Sequence, residues 1–167
     1  QTMDSLHEYA NSTAYISNGI AASDIILRDM TIICNAGKGA LLLRNAKNVI
    51  LQNVRIVNGS SGDTIKVYGD GEEAVSSDIL IDGCQIDGGN RSFVIEKNVK
   101  NVLVSNTRFQ GSNENFVIIG SDDIANCNVR AVSFNNNIFT KFNGTNVLNR
   151  VLGGTEYITF SNSTFDK

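Results

Sequence analysis

The stretch Val49–Ile56, with the sequence VILQNVRI, decides the fold of this chain because similar octapeptides recur along it. Places 1, 3 and 8 are apolar, and place 5 is Asn in four copies, Asp in one and Gly in one. A repeat of this size is too short to bury its own apolar face, so neighbouring repeats must stack on one another. The six copies are Ile25–Ile32, Val49–Ile56, Ile79–Ile86, Val102–Phe109, Val132–Phe139 and Ile158–Phe165.

Each octapeptide has the pattern of two short strands joined by a corner. Places 1 and 3 follow the period of a strand with one buried face. Asn and Gly at place 5 tolerate left-handed backbone, and place 8 returns an Ile or Phe to the interior. Successive copies start 24, 30, 23, 30 and 26 residues apart. The sequence therefore predicts an all-β, single-stranded right-handed parallel β-helix (a solenoid) of about six coils, stacked about 4.8 Å apart.

The recurring place-5 residue also predicts a ladder of side chains inside the solenoid. Stacked coils would put these side chains above one another, where Asn amides can bond to nearby groups. Asp29 would begin this ladder and Gly83 would interrupt it. Its members are Asp29, Asn53, Asn106, Asn136 and Asn162.

A third strand is predicted in each coil, downstream of the octapeptide. Most of the variation in repeat length lies before or just after this strand. Such insertions in solenoids form loops on one face, often the binding face. The predicted third strands are Ala40–Leu43, Thr64–Tyr68, Ser92–Glu96, Asn115–Ile119 and, less clearly, Asn146–Val151.

With its Asn-bearing corner, three strands per coil and no proline, the chain resembles the pectin-lyase-like right-handed parallel β-helix superfamily. That superfamily includes pectate lyases, polygalacturonases and bacteriophage tailspikes. The resemblance covers roughly residues 23–165. It implies a domain of the phage tailspike or tail-appendage type, with a homotrimer as its assembly and the virion or the extracellular space as its location.

Composition and charge exclude several classes of function. A net charge of −3 and a pI near 5.1 make nucleic acid or an anionic membrane a poor partner. No apolar run reaches the length of a membrane span. The three cysteines, Cys34, Cys84 and Cys127, are widely spaced and far from His7, so no metal site or cofactor is predicted. Reduced cysteines used as small core residues fit a protein that folds in a reducing cytoplasm.

The chain divides into an N-terminal cap or partial coil over residues 1–22 and a parallel β-helix over residues 23–167. Phe165 is an inward residue in an uncapped coil, so we expect the β-helix to be a piece of a longer chain.

The place-2 residues point outward, and large aliphatic side chains at this place form a stripe along the solenoid. Soluble monomers avoid exposing such a stripe. Either a loop with the N-terminal segment or a neighbouring β-helix subunit should cover it, and side-by-side packing is slightly favoured. The aliphatic members are Ile26, Ile50, Leu80 and Leu103.

The entrance of the third strand provides the catalytic candidates, Asp63 and Glu114. Residues 62–67 resemble half of the aspartate motif of polygalacturonases. Stacking predicts one column that contains Gly39, Asp63, Arg91 and Glu114, with the two carboxyls two coils and roughly 9.6 Å apart. Inverting glycosidases hold their acid and base about 6.5–9.5 Å apart. The alternative is that Asp63 begins a strand and pairs with Arg91 or Lys66.

Substrate-binding candidates surround this column. Lys66 and Arg91 would lie beside Asp63, and the loop that carries Asp70, Glu72 and Glu73 would form one wall of a groove, unless it is a solvated turn. The paired aspartates, Gly-His-Gly and Arg-x-Lys stretches of polygalacturonases are absent, so enzymatic activity stays open. Arg55 and Arg108, outward at place 7, form either a solvated face or a contact for an anionic sugar.

Three functions compete. The first is a polysaccharide-recognising, possibly depolymerising, domain that acts on bacterial surface glycans, as a glycoside hydrolase or polysaccharide lyase if it is an enzyme. The second is a non-catalytic structural or adhesin stalk. The third is a secreted pectinase-like lyase or glycosidase.

Overall fold

A computed structural model describes residues 12–16, 22–35, 39–144 and 148–166. Within these ranges the chain forms fifteen strands and one 3₁₀ turn, Ile124–Asn126. The strands are β1 Ser12–Ile16, β2 Ala22–Cys34, β3 Gly39–Arg44, β4 Ala46–Asn58, β5 Asp63–Gly69, β6 Ser76–Asp82, β7 Gln85–Gly88, β8 Arg91–Ser105, β9 Arg108–Gln110, β10 Asn115–Ile119, β11 Asn128–Asn135, β12 Ile138–Thr140, β13 Asn149–Val151, β14 Thr155–Ser161 and β15 Thr164–Phe165.

Every strand pairing in the described residues is parallel, and each strand pairs with the equivalent strand of the next coil. Place 1 of each octapeptide aligns with place 1 of the next: Ile25, Val49, Ile79, Val102, Val132 and Ile158 form one row. The chain is therefore a right-handed parallel β-solenoid of about five turns. The prediction of about six coils counted octapeptide copies, and six copies enclose five full intervals.

Each turn has three faces. The first face contains places 1 to 4 of the octapeptide, the second begins at place 7, and the third is the downstream strand. The predicted third strands are confirmed as β3, β5, the start of β8, β10 and, in its described part, β13. The predicted N-terminal cap lies outside the described residues, apart from β1, which pairs with β3, and Ala22, the first residue of β2.

The core is a narrow column of aliphatic and aromatic side chains from all three faces. In the second octapeptide, Val49, Leu51 and Ile56 are fully buried, as places 1, 3 and 8 predict. Aromatic residues stack from coil to coil: the ring centroids of Phe109 and Phe139 lie 4.8 Å apart. The coil spacing thus matches the ring spacing, and dispersion contacts run along the axis.

Two left-handed corners recur with every octapeptide. The place-5 residues have positive φ in all six copies, as predicted, from 50° at Asn162 to 62° at Gly83. The residue just before place 1 is left-handed as well, a corner that the sequence-based prediction missed. This second corner is carried by Asp24, Asn48, Asp78, Asn101, Ala131 and Tyr157. Its signal was present in the sequence, because four of the six residues are Asp or Asn, which tolerate that backbone.

The structure does not confirm the internal Asn ladder. Asp29, Asn53, Asn106, Asn136 and Asn162 are all exposed, because the side chain of a left-handed corner residue points away from the coil. They form an outer row with only partial hydrogen bonding. Asn53 donates to Asp29 at 2.7 Å and Asn136 donates to Asn106 at 2.7 Å, whereas Asn106 donates to Asp82 across the gap at Gly83.

The buried polar groups lie one residue later, at place 6 of the last three copies, Thr107, Asn137 and Ser163. The backbone N–H of Thr107 donates to Oδ1 of Asn137 at 2.9 Å, and that of Asn137 donates to Oγ of Ser163 at 3.2 Å. The Asn137 amide also donates to the carbonyl of Val104 at 3.0 Å. Side chains at this place therefore satisfy backbone groups that the corner removes from the strand ladder.

Replacing Asn137 by Ala should destabilise the protein by about 1–3 kcal/mol, because it removes the side-chain acceptor of the buried Thr107 N–H and the amide that donates to the Val104 carbonyl. Urea unfolding followed by circular dichroism measures the difference. Asn136→Gly is the matched control: it removes the exposed neighbouring amide and keeps the left-handed corner, so its cost should stay below about 1 kcal/mol. Equal costs for the two variants would contradict the assignment of place 6 as the internal row.

Candidate functional site

Asp63 opens β5 and is held by Arg91, the first residue of β8. Nε of Arg91 lies 2.6 Å from Oδ1 of Asp63, and its Nη2 lies 3.0 Å from Oδ2, so the pair is bidentate. The Asp63 side chain is only 11% exposed, whereas that of Arg91 is 38% exposed. Burial raises the pKa of Asp63 above its ordinary value and outweighs the attraction of Arg91.

Glu114 does not share the column of Asp63. The residues in register are Gly39, Asp63, Arg91 and Asn115, so the predicted column is correct except at its last member, which is displaced by one residue. Glu114 immediately precedes β10, and its Oε1 accepts a hydrogen bond from the Asn90 amide at 2.9 Å. The two carboxyls remain two coils apart, and each is held by a donor from the coil between them.

Lys66 binds Glu96 rather than Asp63. Its Nζ lies 2.6 Å from Oε1 of Glu96, one coil away on the third face. Tyr68, on the same strand as Lys66, is nearly fully buried and has three cationic groups around its ring. Arg44 and Lys66 lie 5.5 Å and Lys97 lies 5.2 Å from the ring centroid, within the range of cation–π attraction.

The loop that begins at Asp70 is not a wall of the Asp63 site. Asp63 and Asp70 lie at opposite ends of β5, roughly 20 Å apart along the strand. Asp70 accepts hydrogen bonds from Arg44 and Asn45, both at 2.7 Å. Its partial burial acts to raise its pKa, but these hydrogen bonds outweigh it and the pKa lies below its ordinary value. Glu72 and Glu73 are exposed in the same loop.

Four ion pairs between described residues join adjacent coils. Three lie on the third face, Arg44–Asp70, Lys66–Glu96 and Asp63–Arg91, and the fourth, Arg55–Asp87, lies on the second face. These charges therefore stabilise the stack of coils. Asp63 and Arg91 are in contact, as the sequence suggested, and Lys66 lies on β5 with Asp63. The acidic loop lies beyond the other end of β5.

Neither the cysteines nor any other described residues form a metal site. Cys34, Cys84 and Cys127 are buried, and no disulfide joins them. In the described ranges, no group of three His, Cys, Asp or Glu side chains is close enough to hold a metal ion. Burial raises the pKa of the Cys84 thiol, which favours its role as a core residue.

A notch in the outer row is a second candidate site. Gly83 stands between Asn53 and Asn106, and a Cβ at Gly83 would meet nothing within 4 Å. The missing side chain opens a depression of about 430 Å³. Its accessible lining combines the carboxyl of Asp29, the amides of Asn53 and Gln85, the hydroxyl of Thr31, the guanidinium of Arg55 and the thioether of Met30.

Arg55 is fixed at the edge of this notch. Its Nε and Nη2 lie 3.1 Å and 3.0 Å from Oδ2 of Asp87, and Gln85 donates to both carboxyl oxygens of Asp87. The sequence-based prediction placed Arg55 outward, in a solvated face or as a contact for an anionic sugar, but it did not find the notch, because it took the place-5 residues to be internal. The signal that could have found the notch is the single Gly in a row of Asn and Asp.

No protein family, curated protein or solved structure matches the chain. The fold and the geometry of these two sites are therefore the observations on which a function can be argued.

The raised pKa of Asp63 gives a pH-dependent prediction. The folded protein holds a proton on Asp63 at a higher pH than the unfolded chain does, so this residue contributes stability at low pH that is lost as the pH rises through its folded pKa. The free energy of unfolding of the wild type minus that of Asp63→Asn should therefore fall as the pH rises from below 3.8. Denaturant titrations of both proteins at a series of pH values measure it, and a difference that rises with pH would contradict it.

Proposed function

We propose that this chain is a glycan-binding β-solenoid of the pectin-lyase-like, phage tail-appendage type, and that its ligand is a bacterial surface polysaccharide. The observation that carries the proposal is the notch at Gly83. Its lining mixes hydroxyl, amide, carboxyl and guanidinium groups with the exposed thioether of Met30. Such a set can bond the hydroxyls of a sugar and contact its C–H surface, as ligand sites do with a few placed polar groups.

The periodic surface around the notch favours a polymer as the ligand. Apart from the gap at Gly83, the outer row repeats donors and acceptors at the coil spacing of about 4.8 Å. A chain of sugar units laid along this row would contact several coils at once, and weak contacts add through multivalency. The notch would then fix the position of one unit.

The geometry of Asp63 and Glu114 favours binding over cleavage. A general acid or base must reach the proton that it transfers. Asp63 is largely buried and both of its oxygens bind Arg91, while Glu114 accepts from Asn90. In the proposed function these residues stabilise the stack, and hydrolysis would require the Asp63–Arg91 pair to open.

A structural stalk is the second candidate, and one observation favours it. The place-2 stripe is outward: Ile26 is 61% exposed and Leu103 is 41% exposed, with Ile50 and Leu80 half-buried between them. Side-by-side association into a homotrimer, on a virion or outside the cell, would cover this stripe. Within the described residues, no helix has the length and apolar character that crossing a bilayer requires.

Filling the notch tests the proposed function. Gly83→Asn should fold normally, because Asn53 and Asn106 adopt φ of 52° and 51° in the same row and Gly83 has φ of 62°. It should weaken polysaccharide binding at least tenfold, since the new side chain occupies the space of a sugar group. Binding is measured by biolayer interferometry against a panel of capsular and lipopolysaccharide glycans.

Tyr157→Asn is the control for this experiment. It places the same amide at another exposed left-handed corner, φ 56°, on the last coil, and should leave binding unchanged. The proposal is wrong if no glycan of the panel binds the wild type, or if Gly83→Asn binds as the wild type does.

A reducing-end assay on the same panel separates binding from cleavage. We expect no new reducing ends from the wild type, because its two candidate carboxyls are held by Arg91 and Asn90. Products that vanish in Asp63→Asn and Glu114→Gln would overturn this expectation and make the chain a depolymerase. Loss of products in only one of these variants would assign the chemistry to that carboxyl.

A further inference from the structure

The place-2 stripe covers only part of the first face. The last two octapeptide copies carry Ser133 and Thr159 at this place, and their hydroxyls bond to each other at 2.9 Å. We propose that the stripe binds the stripe of a second copy of this chain, face to face, with the two solenoid axes running in opposite directions. The first four copies supply the stripe, in register: Ile26, Ile50, Leu80 and Leu103.

A two-fold axis that runs parallel to the strands, between the second and third copies of the octapeptide, generates this pair. It sets copy 1 opposite copy 4 of the second chain, and copy 2 opposite copy 3. Ile26 then faces Leu103 of the second chain, and Ile50 faces Leu80. The most exposed members of the stripe, Ile26 at 61% and Leu103 at 41%, therefore cover each other. Self-complementary contacts of this kind are the commonest in homo-oligomers.

The corner residues that precede place 1 match across this pair. Asp24 faces Asn101 of the second chain, and Asn48 faces Asp78. Within one chain, Asn48 donates to Asp24 at 3.1 Å and Asn101 donates to Asp78 at 2.9 Å. An Asn amide has a second N–H, and a carboxylate accepts about four hydrogen bonds, so each group can form a further bond across the interface.

The place-4 residues match on the other side of the stripe. Arg28 faces Ser105 of the second chain, and Gln52 faces Asp82. These contacts join a guanidinium to a hydroxyl and an amide to a carboxylate, and hydrogen bonds to charged groups are the stronger ones. Among the described residues that flank the stripe on the first face, this arrangement brings no two like charges together.

Other two-fold arrangements bring like charges together. If the axis moves to copy 2, Asp24 faces Asp78 of the second chain, and if it moves to copy 3, Asp78 faces itself. If the solenoid axes run in the same direction, Asp24 meets Arg28 but Asp78 meets Asp82. Like charges that face each other across an interface are unfavourable. The flanking charges therefore select both the direction and the register of the pair.

A homotrimer matches the stripe less well. A three-fold contact joins two different patches, so the stripe would lie on another face of the next copy. On the third face the outward residues Leu42 and Val94 are already buried within one chain, at 1% exposure each. On the second face the place-7 residues of the first four octapeptide copies are polar: Thr31, Arg55, Gln85 and Arg108. The second copy of the stripe is the surface that supplies matching aliphatic groups.

The proposed interface is small. Four coils span roughly 19 Å along the axis, and the face is about 20 Å wide, so the pair buries on the order of 1,000 Å² in total. Interfaces at this end of the range are weak, and we expect a reversible dimer with a Kd in the micromolar range. The inference does not rest on the proposed glycan site, because the notch at Gly83 is lined by residues of places 5 to 7, beyond the corner.

Sedimentation equilibrium over a concentration series tests the pair. The wild type should pass from one mass of 18.1 kDa to two as the concentration rises. Leu80→Lys should weaken dimerisation at least tenfold, because each copy then sets a charge against Ile50 of the other. Thr159→Lys places the same charge in the same row but outside the stripe, and should change the Kd less than about twofold.

A mixing experiment separates lost contact from lost folding. Ile50→Lys and Leu80→Glu should each dimerise poorly alone. An equal mixture of the two proteins should dimerise more tightly than either, because Lys at 50 of one chain faces Glu at 80 of the other. Such rescue requires both variants to be folded, and it requires copy 2 to lie opposite copy 3.

A distance measurement reads the direction of the pair. Thr159→Cys carries a spin label on the exposed first face, and the native cysteines are buried. In the proposed dimer the two labels lie seven coil spacings apart along the axis, about 34 Å. Chains that run in the same direction would bring them to about 10 Å, the spacing of two packed sheets. Double electron–electron resonance distinguishes these distances.

Several results would overturn the proposal. They are a single mass at every concentration, a mass of three copies, equal effects of Leu80→Lys and Thr159→Lys, no rescue in the mixture, or a short distance between the labels. Concentration-dependent dimerisation that Leu80→Lys weakens, together with rescue and the long distance, supports it. The label distance is measured on a protein with an intact stripe, so it decides the arrangement even if Leu80→Lys does not fold.

Discussion

The parallel backbone pairing of each coil with the next is the constraint on which the rest of the structure depends. It aligns equivalent residues of successive coils in rows, with about 4.8 Å between neighbours. A residue type that recurs at one place of the repeat therefore forms a continuous row along the axis. The two left-handed corners then decide which rows face the core. Because a corner residue points outward, the polar row that the core can use lies at Thr107 and Asn137, one place later. The later coils therefore satisfy interior backbone groups with place 6, and all six copies present place 5 to solvent.

The sequence predicted the fold well because the fold depends on periodicity. Apolar places 1, 3 and 8, the third strands and the left-handed backbone at place 5 were all readable, since each reflects a local preference that recurs in every copy. Whether the place-5 side chains face the core or the solvent could not be predicted in the same way. Asn suits a left-handed corner and a buried ladder equally well, and only the direction of the Cα–Cβ bond separates them, as Asn136 and Asn137 illustrate.

The candidate sites were less predictable because they depend on register to a single residue. Asp63 and Arg91 were placed correctly, since both begin a strand and align directly. Glu114 precedes its strand by one residue, and that displacement moves it out of the column and towards Asn90. Lys66 lies in register with the buried Val94, on the opposite side of its strand from Asp63, and the partner within its reach is Glu96. Alternation along a strand thus separates side chains that are close in sequence.

The places where the repeat breaks are where this surface can discriminate between ligands. A perfect solenoid offers the same contacts at every coil and has no way to fix the position of a bound polymer. Gly83 removes one side chain from a row of Asn and Asp and so creates a single notch. In the proposed function, the regular rows supply many weak contacts, and the notch at Gly83 fixes the position of the bound polymer.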